Sequence, residues 1–205
     1  LPPVVTGSHL DTQPTGGRFD GCYGVLAGLE VIRVLNDHGI TTEAPLEVVI
    51  WTNEEGCRFV PVMMGSGVHA GIIPLEDALA AKDRDGDTVA ASLERIGYAG
   101  DIPMGSRTFG AYIESHIEQG PVLEAEGIAV GAVTGSLGLR WFDVVVTGQE
   151  AHAGPTPMLY RRDALKRAAE LIGDILALAD PHQPHGRVTC GEFELYPNSR
   201  NVIPG

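Results

Sequence analysis

An α/β fold followed by a smaller α+β section is predicted by three observations. Two short β-rich apolar runs, Val4–Ser8 and Leu46–Thr52, bracket a stretch of helical periodicity from Gly21 to His38. Strand, helix, strand in that order marks a βαβ unit in a mainly parallel sheet. After Gly135 the pattern changes: Trp141–Thr147 alternates as an antiparallel strand does, and one long amphipathic stretch follows it.

Each element follows from its own residues. Val4–Ser8 is short, apolar and bounded by Pro3 and Gly7. A Gly-rich loop then carries Asp20, just ahead of a helix whose Val25, Leu29 and Ile32 recur at helical spacing. Gly39 is its stop signal. Leu46–Thr52 is nearly continuous in apolar residues, as in a strand covered on both faces. Gly65–Gly71 is a small-residue loop or helix start, and Leu75–Ala81 and Thr88–Ile96 are short helices around the polar loop Lys82–Asp87. Tyr112–Ile117 reads as a third strand, Pro121–Glu126 as a helical turn and Ala129–Thr134 as a fourth strand. Gly135 and Gly138 form a hinge. Beyond it come the strand Trp141–Thr147, a Gly/Pro loop from Gly148 to Pro157, the helix Arg161–Ala179 and the strand Arg187–Tyr196. The expected domains are 1–134 and 135–205. The opening Leu1-Pro2-Pro3-Val4 and the closing Val202-Ile203-Pro204-Gly205 read as cut ends of a longer chain.

Composition narrows the function. The 205 residues are 43% hydrophobic and 20% charged, enough to bury a core. A formal net charge of −13 argues against binding nucleic-acid phosphates or an anionic membrane surface. Three cysteines without a CxxC pair fit a reducing cytoplasm better than a disulfide framework. No apolar run approaches the roughly 20 residues of a membrane span.

The chemistry-bearing residues collect at strand ends. His9-Leu10-Asp11 ends the first strand, Asp20 precedes the helix, Glu54-Glu55 end the second strand and His116 ends the third. Singly, each has an ordinary reading: a loop histidine with a turn aspartate, a helix cap, a solvated acidic pair, a core histidine. Together they offer imidazole nitrogen and carboxylate oxygen, the donors a divalent cation takes. They also offer a spare carboxylate to receive a proton from water. Parallel strands bring such ends together.

Six strings carry a resemblance: Gly7-Ser8-His9-Leu10-Asp11-Thr12, Gly17-Arg18-Phe19-Asp20-Gly21, Thr52-Asn53-Glu54-Glu55-Gly56, His116-Ile117-Glu118-Gln119-Gly120, His152-Ala153-Gly154-Pro155-Thr156-Pro157-Met158 and Asn201-Val202-Ile203-Pro204-Gly205. They resemble the hydantoinase/carbamoylase branch of the M20 metallopeptidase-like amidohydrolases along nearly the whole chain. The resemblance implies an α/β catalytic domain with a mixed sheet and two metals, and an inserted α+β lid that dimerises. It implies that Asp20 bridges two divalent ions, zinc first, with manganese, cobalt or nickel possible. His9 and His116 then complete one ion's ligands, and Glu55 serves the other. Glu54 is implied as general base and Asp11 as the partner of His9. His152 is implied to steady an oxyanion in the partner copy's site, and Gln119, Asn201 and His152 to bind substrate. A second-metal histidine and a substrate-binding arginine are expected beyond Gly205.

The activity implied is hydrolysis of the ureido C–N bond of an N-carbamoyl amino acid, releasing ammonia and carbon dioxide, by a cytoplasmic homodimer. The alternatives are an allantoate or ureidoglycolate amidohydrolase, an M20 dipeptidase, and a non-catalytic dimerising scaffold.

Overall fold

Strand β1 (Val4–His9) organises the first of two units, Leu1–Gly131, in a computed structural model that describes residues 1–205. It lies between β2 (Leu46–Trp51) and β3 (Ala111–Ile113), with both neighbours parallel to it. Val4 faces Leu46 on one side and Ala111 on the other, and His9 ends opposite Trp51. All three strands therefore run toward the same edge, where their ligand-bearing loops begin.

Helix α1 (Cys22–Asp37) crosses from β1 to β2 and packs on β1 through Val25, which is buried with Val5. The approach is close because position 24 has no side chain. A Cβ on Gly24 would stand 2.4 Å from the Ser115 carbonyl oxygen and 2.8 Å from Ser8 Cβ. Asp20 does not cap this helix; Gly21 occupies the N-cap with no side-chain bond, so the Asp20 carboxylate is left for other partners. Helices α2 (Met64–His69), α3 (Leu75–Ala80) and α4 (Val89–Ile96) enclose a satellite core of Phe59, Met64, Val68, Ala78 and Val89. Thr88 Oγ1 caps α4 by accepting from the Ala91 amide at 3.1 Å. Asn53, buried and in the left-handed region, pins the loop after β2: its Nδ2 donates to the Phe59 carbonyl at 2.8 Å. Helix α5 (Val122–Glu126) supplies the expected helical turn.

The second unit, Ala132–Gly205, holds β4 (Ala151–His152), paired antiparallel with β5 (Val202–Ile203), and helix α6 (Ala164–Ala177). Asp163 caps α6 by accepting from the Lys166 amide at 3.0 Å, so the helix starts three residues later than the periodicity predicts.

Three expected strands do not form. Ala129–Thr134, Trp141–Thr147 and Arg187–Tyr196 pair with nothing, because an alternating pattern supplies side chains for a strand but not the neighbouring backbone that defines one. Their apolar residues stay in water: Val133, Phe142 and Val145 are each more than 80% exposed. The third strand also ends sooner than expected, so Glu114, Ser115 and His116 lie beyond β3. The described sheet is wholly parallel rather than mixed. Conversely, β4 forms inside the stretch read as a Gly/Pro loop, and β5 forms in the terminal turn.

Candidate metal centre

His9 is the last residue of β1 and is 2% exposed. Its Nδ1 lies 2.8 Å from the backbone carbonyl of Asp11, and a carbonyl can only accept. Nδ1 therefore carries the proton, and Nε2 presents a lone pair. His116 is arranged in the same way, with Nδ1 2.8 Å from the Ile117 carbonyl. The two rings stack at 29°, with 3.4 Å between the Nε2 atoms.

Asp20 closes the group. One of its oxygens lies 3.2 Å from His116 Nε2 and 3.7 Å from His9 Nε2. The ligand atoms of His9, Asp20 and His116 all fall within 4.8 Å of one another. Two imidazole lone pairs and a carboxylate converge, all three acceptors of positive charge. Such a set suits a divalent cation. In the structure Gln119, in the left-handed region, donates its amide to both Asp20 oxygens at 2.9 and 2.7 Å.

Glu54 borders the group, with Oε2 3.6 Å from His9 Nε2. Burial raises its pKa; His9 opposes that rise, while the charges of Glu55, Asp11 and Glu114 add to it. A carboxylate tuned upward beside a cation site is suited to taking and returning a proton. Asp11 meets His9 through its backbone. Its carbonyl, not its carboxylate, is the close partner of His9, the carboxylate standing 3.8 Å from Nδ1. The carboxylate instead accepts from the amides of Glu54 at 3.2 Å and Glu55 at 2.9 Å. One residue thus holds both His9 and the acidic turn. Glu55 lies outside the three-residue group, and its carboxylate accepts from Gln13 at 3.2 Å.

Within the second unit the β4–β5 ladder sets His152 opposite Val202, and Ala153 donates its amide to the Asn201 carbonyl at 3.0 Å. His152 and Asn201, distant in sequence, are neighbours. His152 also takes the opposite tautomer from the other two histidines. The Gly154 amide donates to its Nδ1 at 3.0 Å, so the neutral ring carries its proton on Nε2 and offers a donor there. Arg161 braces this loop, donating to the carbonyls of Ala153 at 2.7 Å and Thr156 at 3.0 Å. The irregular backbone of this Gly/Pro loop leaves those carbonyls free to accept. Arg161→Ala is expected to weaken this loop by roughly 1.5–3 kcal/mol, the worth of hydrogen bonds to a charged group. Faster amide exchange at Ala153, Gly154 and Thr156 would register it, and unchanged exchange would show that the brace is idle.

Residues 5–201 match the family described as peptidase family M20/M25/M40. The chain is 51% identical over 203 residues to the N-carbamoyl-L-amino-acid amidohydrolase of Rhizobium meliloti, covering 99% of this chain and 49% of that one. It is 37% identical over 204 residues to the allantoate amidohydrolase of Bacillus subtilis, covering 98% and 50%. The crystal structure of a hydantoinase/carbamoylase family amidase from Burkholderia vietnamiensis superposes with a TM-score of 0.88 at 56% identity, covering all of this chain and 50% of that one. The chain spans about half the length of the curated relatives it matches.

Proposed function

Because the chain belongs to peptidase family M20/M25/M40, we propose that the whole protein is a metal-dependent amidohydrolase cleaving the ureido C–N bond of an N-carbamoyl amino acid. The observation that carries this reading is the acceptor-only group of His9, Asp20 and His116 beside Glu54, in a chain 51% identical to an N-carbamoyl-L-amino-acid amidohydrolase.

The donor set fits the implied ions. His9, Asp20 and His116 would hold one, and Asp20 and Glu55 would contribute to a second, with zinc the first choice for such ligands. Bound divalent ions supply Lewis acidity toward water and the ureido carbonyl. The chain's own residues do the rest. Glu54 takes the proton of the attacking water and delivers it to the leaving nitrogen. Asp11 holds His9 and the Glu54–Glu55 turn in one register. His152 offers its Nε2 proton where oxyanion charge develops in the partner copy's site. Gln119 and Asn201 bind the substrate's polar ends. The first section, residues 1–134, serves as the catalytic domain, and residues 135–205 serve as lid and dimerisation module. The protein acts as a cytoplasmic homodimer. No helix is long and apolar enough to cross a membrane.

The test is ammonia release by the full-length, metal-replete protein from an N-carbamoyl-L-amino acid, N-carbamoyl-β-alanine and allantoate in parallel. Preference for an N-carbamoyl amino acid, abolished by chelation and restored by zinc, manganese or cobalt, is the expected result. Preference for allantoate would move the assignment to the activity named for the Bacillus subtilis relative. No turnover and no bound metal would overturn the reading.

A further inference from the structure

Glu114 lies one residue beyond β3 and two before His116. One of its carboxylate oxygens accepts from Ser8 Oγ and the other from Tyr112 Oη at 2.7 Å. Tyr112 Oη in turn accepts from Trp51 Nε1 at 2.9 Å and lies 3.3 Å from the Gly7 carbonyl. The chain Trp51–Tyr112–Glu114–Ser8 thus joins all three strands of the sheet: Ser8 on β1, Trp51 on β2, Tyr112 on β3.

The placement of each member matters. Ser8 immediately precedes His9; Trp51 is the last residue of β2, three before Glu54; Glu114 is two before His116. Ser8 is fully buried, so its hydroxyl depends on Glu114 for a partner. Burial and the Glu114 carboxylate raise the Tyr112 pKa, so the phenol remains a donor throughout the working range. Glu114 forms no ion pair with a lysine, arginine or histidine; its charge is held by neutral donors. Both its oxygens are engaged, and it is not among the residues that could hold the ion.

We propose that Glu114 is a positioning residue, tying the ends of β1, β2 and β3 together so that His9 and His116 keep the spacing a divalent ion requires and Glu54 stays beside them. The inference rests on the reading of His9, Asp20 and His116 as metal ligands. Partners that orient ligands in this way commonly set metal affinity by a factor of about 10–100.

Divalent-metal affinity is measured in the full-length protein by competition with a chromophoric chelator, well below the melting temperature. The absorption spectrum of the cobalt-substituted protein is recorded beside it. Glu114→Ala and Glu114→Asp, which remove or shorten the link, are expected to weaken zinc binding by about 10–100-fold and to shift the cobalt bands. Tyr112→Phe leaves the carboxylate and its Ser8 bond in place and removes the Tyr112 Oη bonds to Glu114, Trp51 and the Gly7 carbonyl, so a smaller loss in the same direction is expected. Combined with Glu114→Gln it should be less than additive, since both changes cut one network. Wild-type affinity and cobalt spectrum in Glu114→Gln and Tyr112→Phe would overturn the proposal while leaving the metal site intact, even were Glu114→Ala to misfold. Failure of the wild-type protein to bind any divalent metal would instead remove the metal reading, and this inference with it.

Discussion

Glu54→Gln in the full-length protein is expected to lower kcat by about 10²–10⁴-fold, the usual worth of a positioned general base, while bound metal and fold persist. The amide keeps the size of the side chain and cannot take a proton. Because Glu54 stands beside the three-residue group rather than in it, metal content should stay at the wild-type level. Loss of metal together with activity would recast Glu54 as a ligand, and retained activity would remove it from the mechanism. The same variant tests the electrostatics without substrate. In the metal-free protein the Glu54 pKa lies above its ordinary value of 4.5, chiefly through burial. The fold thus disfavours the charged form. That cost is absent below the ordinary value and grows as pH rises through it toward the raised one. Metal-free Glu54→Gln should therefore melt higher than the metal-free wild type near neutral pH, and the difference should vanish below pH 4.5. An equal or lower melting point at neutral pH would contradict it.

Gly21→Ala is expected to damage fold and metal site together. Gly21 has φ +66°, and a Cβ there would fall 2.5 Å from His9 Nδ1, Cε1 and carbonyl oxygen. The left-handed backbone alone costs a residue with a Cβ about 1–2 kcal/mol, and the overlap adds about 1–3 kcal/mol of packing strain. His9 is buried against this point, so the ring must shift if the new methyl is to fit. A stability loss of about 2–5 kcal/mol by denaturant titration follows, with metal affinity reduced at least tenfold if the displaced ring is a ligand. Normal metal affinity in a destabilised Gly21→Ala protein would separate His9 from the metal site.

The parts of this site that were legible in sequence are those whose chemistry is local. His9, Asp20 and His116 announce themselves by ligand type at the ends of a βαβ pattern, and β1, α1 and β2 form close to where periodicity places them. Relations carried by the backbone were not legible. Nothing in the letters says that Asp11 orients His9 with its carbonyl and spends its carboxylate on two amides. Nor do they say that Gly154 selects the His152 tautomer. Glu114 was hidden for another reason: its partners Ser8 and Tyr112 sit on different strands, and only the register brings them together. The three strands expected at Ala129–Thr134, Trp141–Thr147 and Arg187–Tyr196 failed because pattern reports what a strand prefers, whereas a ladder needs a neighbour.

The double pairing of β1 limits how this chain can vary in length. β2 reads all six of its residues in register, from Val4 opposite Leu46 to His9 opposite Trp51, and β3 reads the first three, Val4–Thr6 opposite Ala111–Ile113. One residue inserted between Val4 and Thr6 would have to slip two ladders at once, and a slip of one turns every following side chain to the opposite face. His9 would leave the edge where Asp20 and His116 wait. Insertions and deletions should therefore be tolerated in the exposed segment between α4 and β3, residues 97–110, and purged from β1, so that a library of length variants would trace the outline of the metal site without any assay of chemistry.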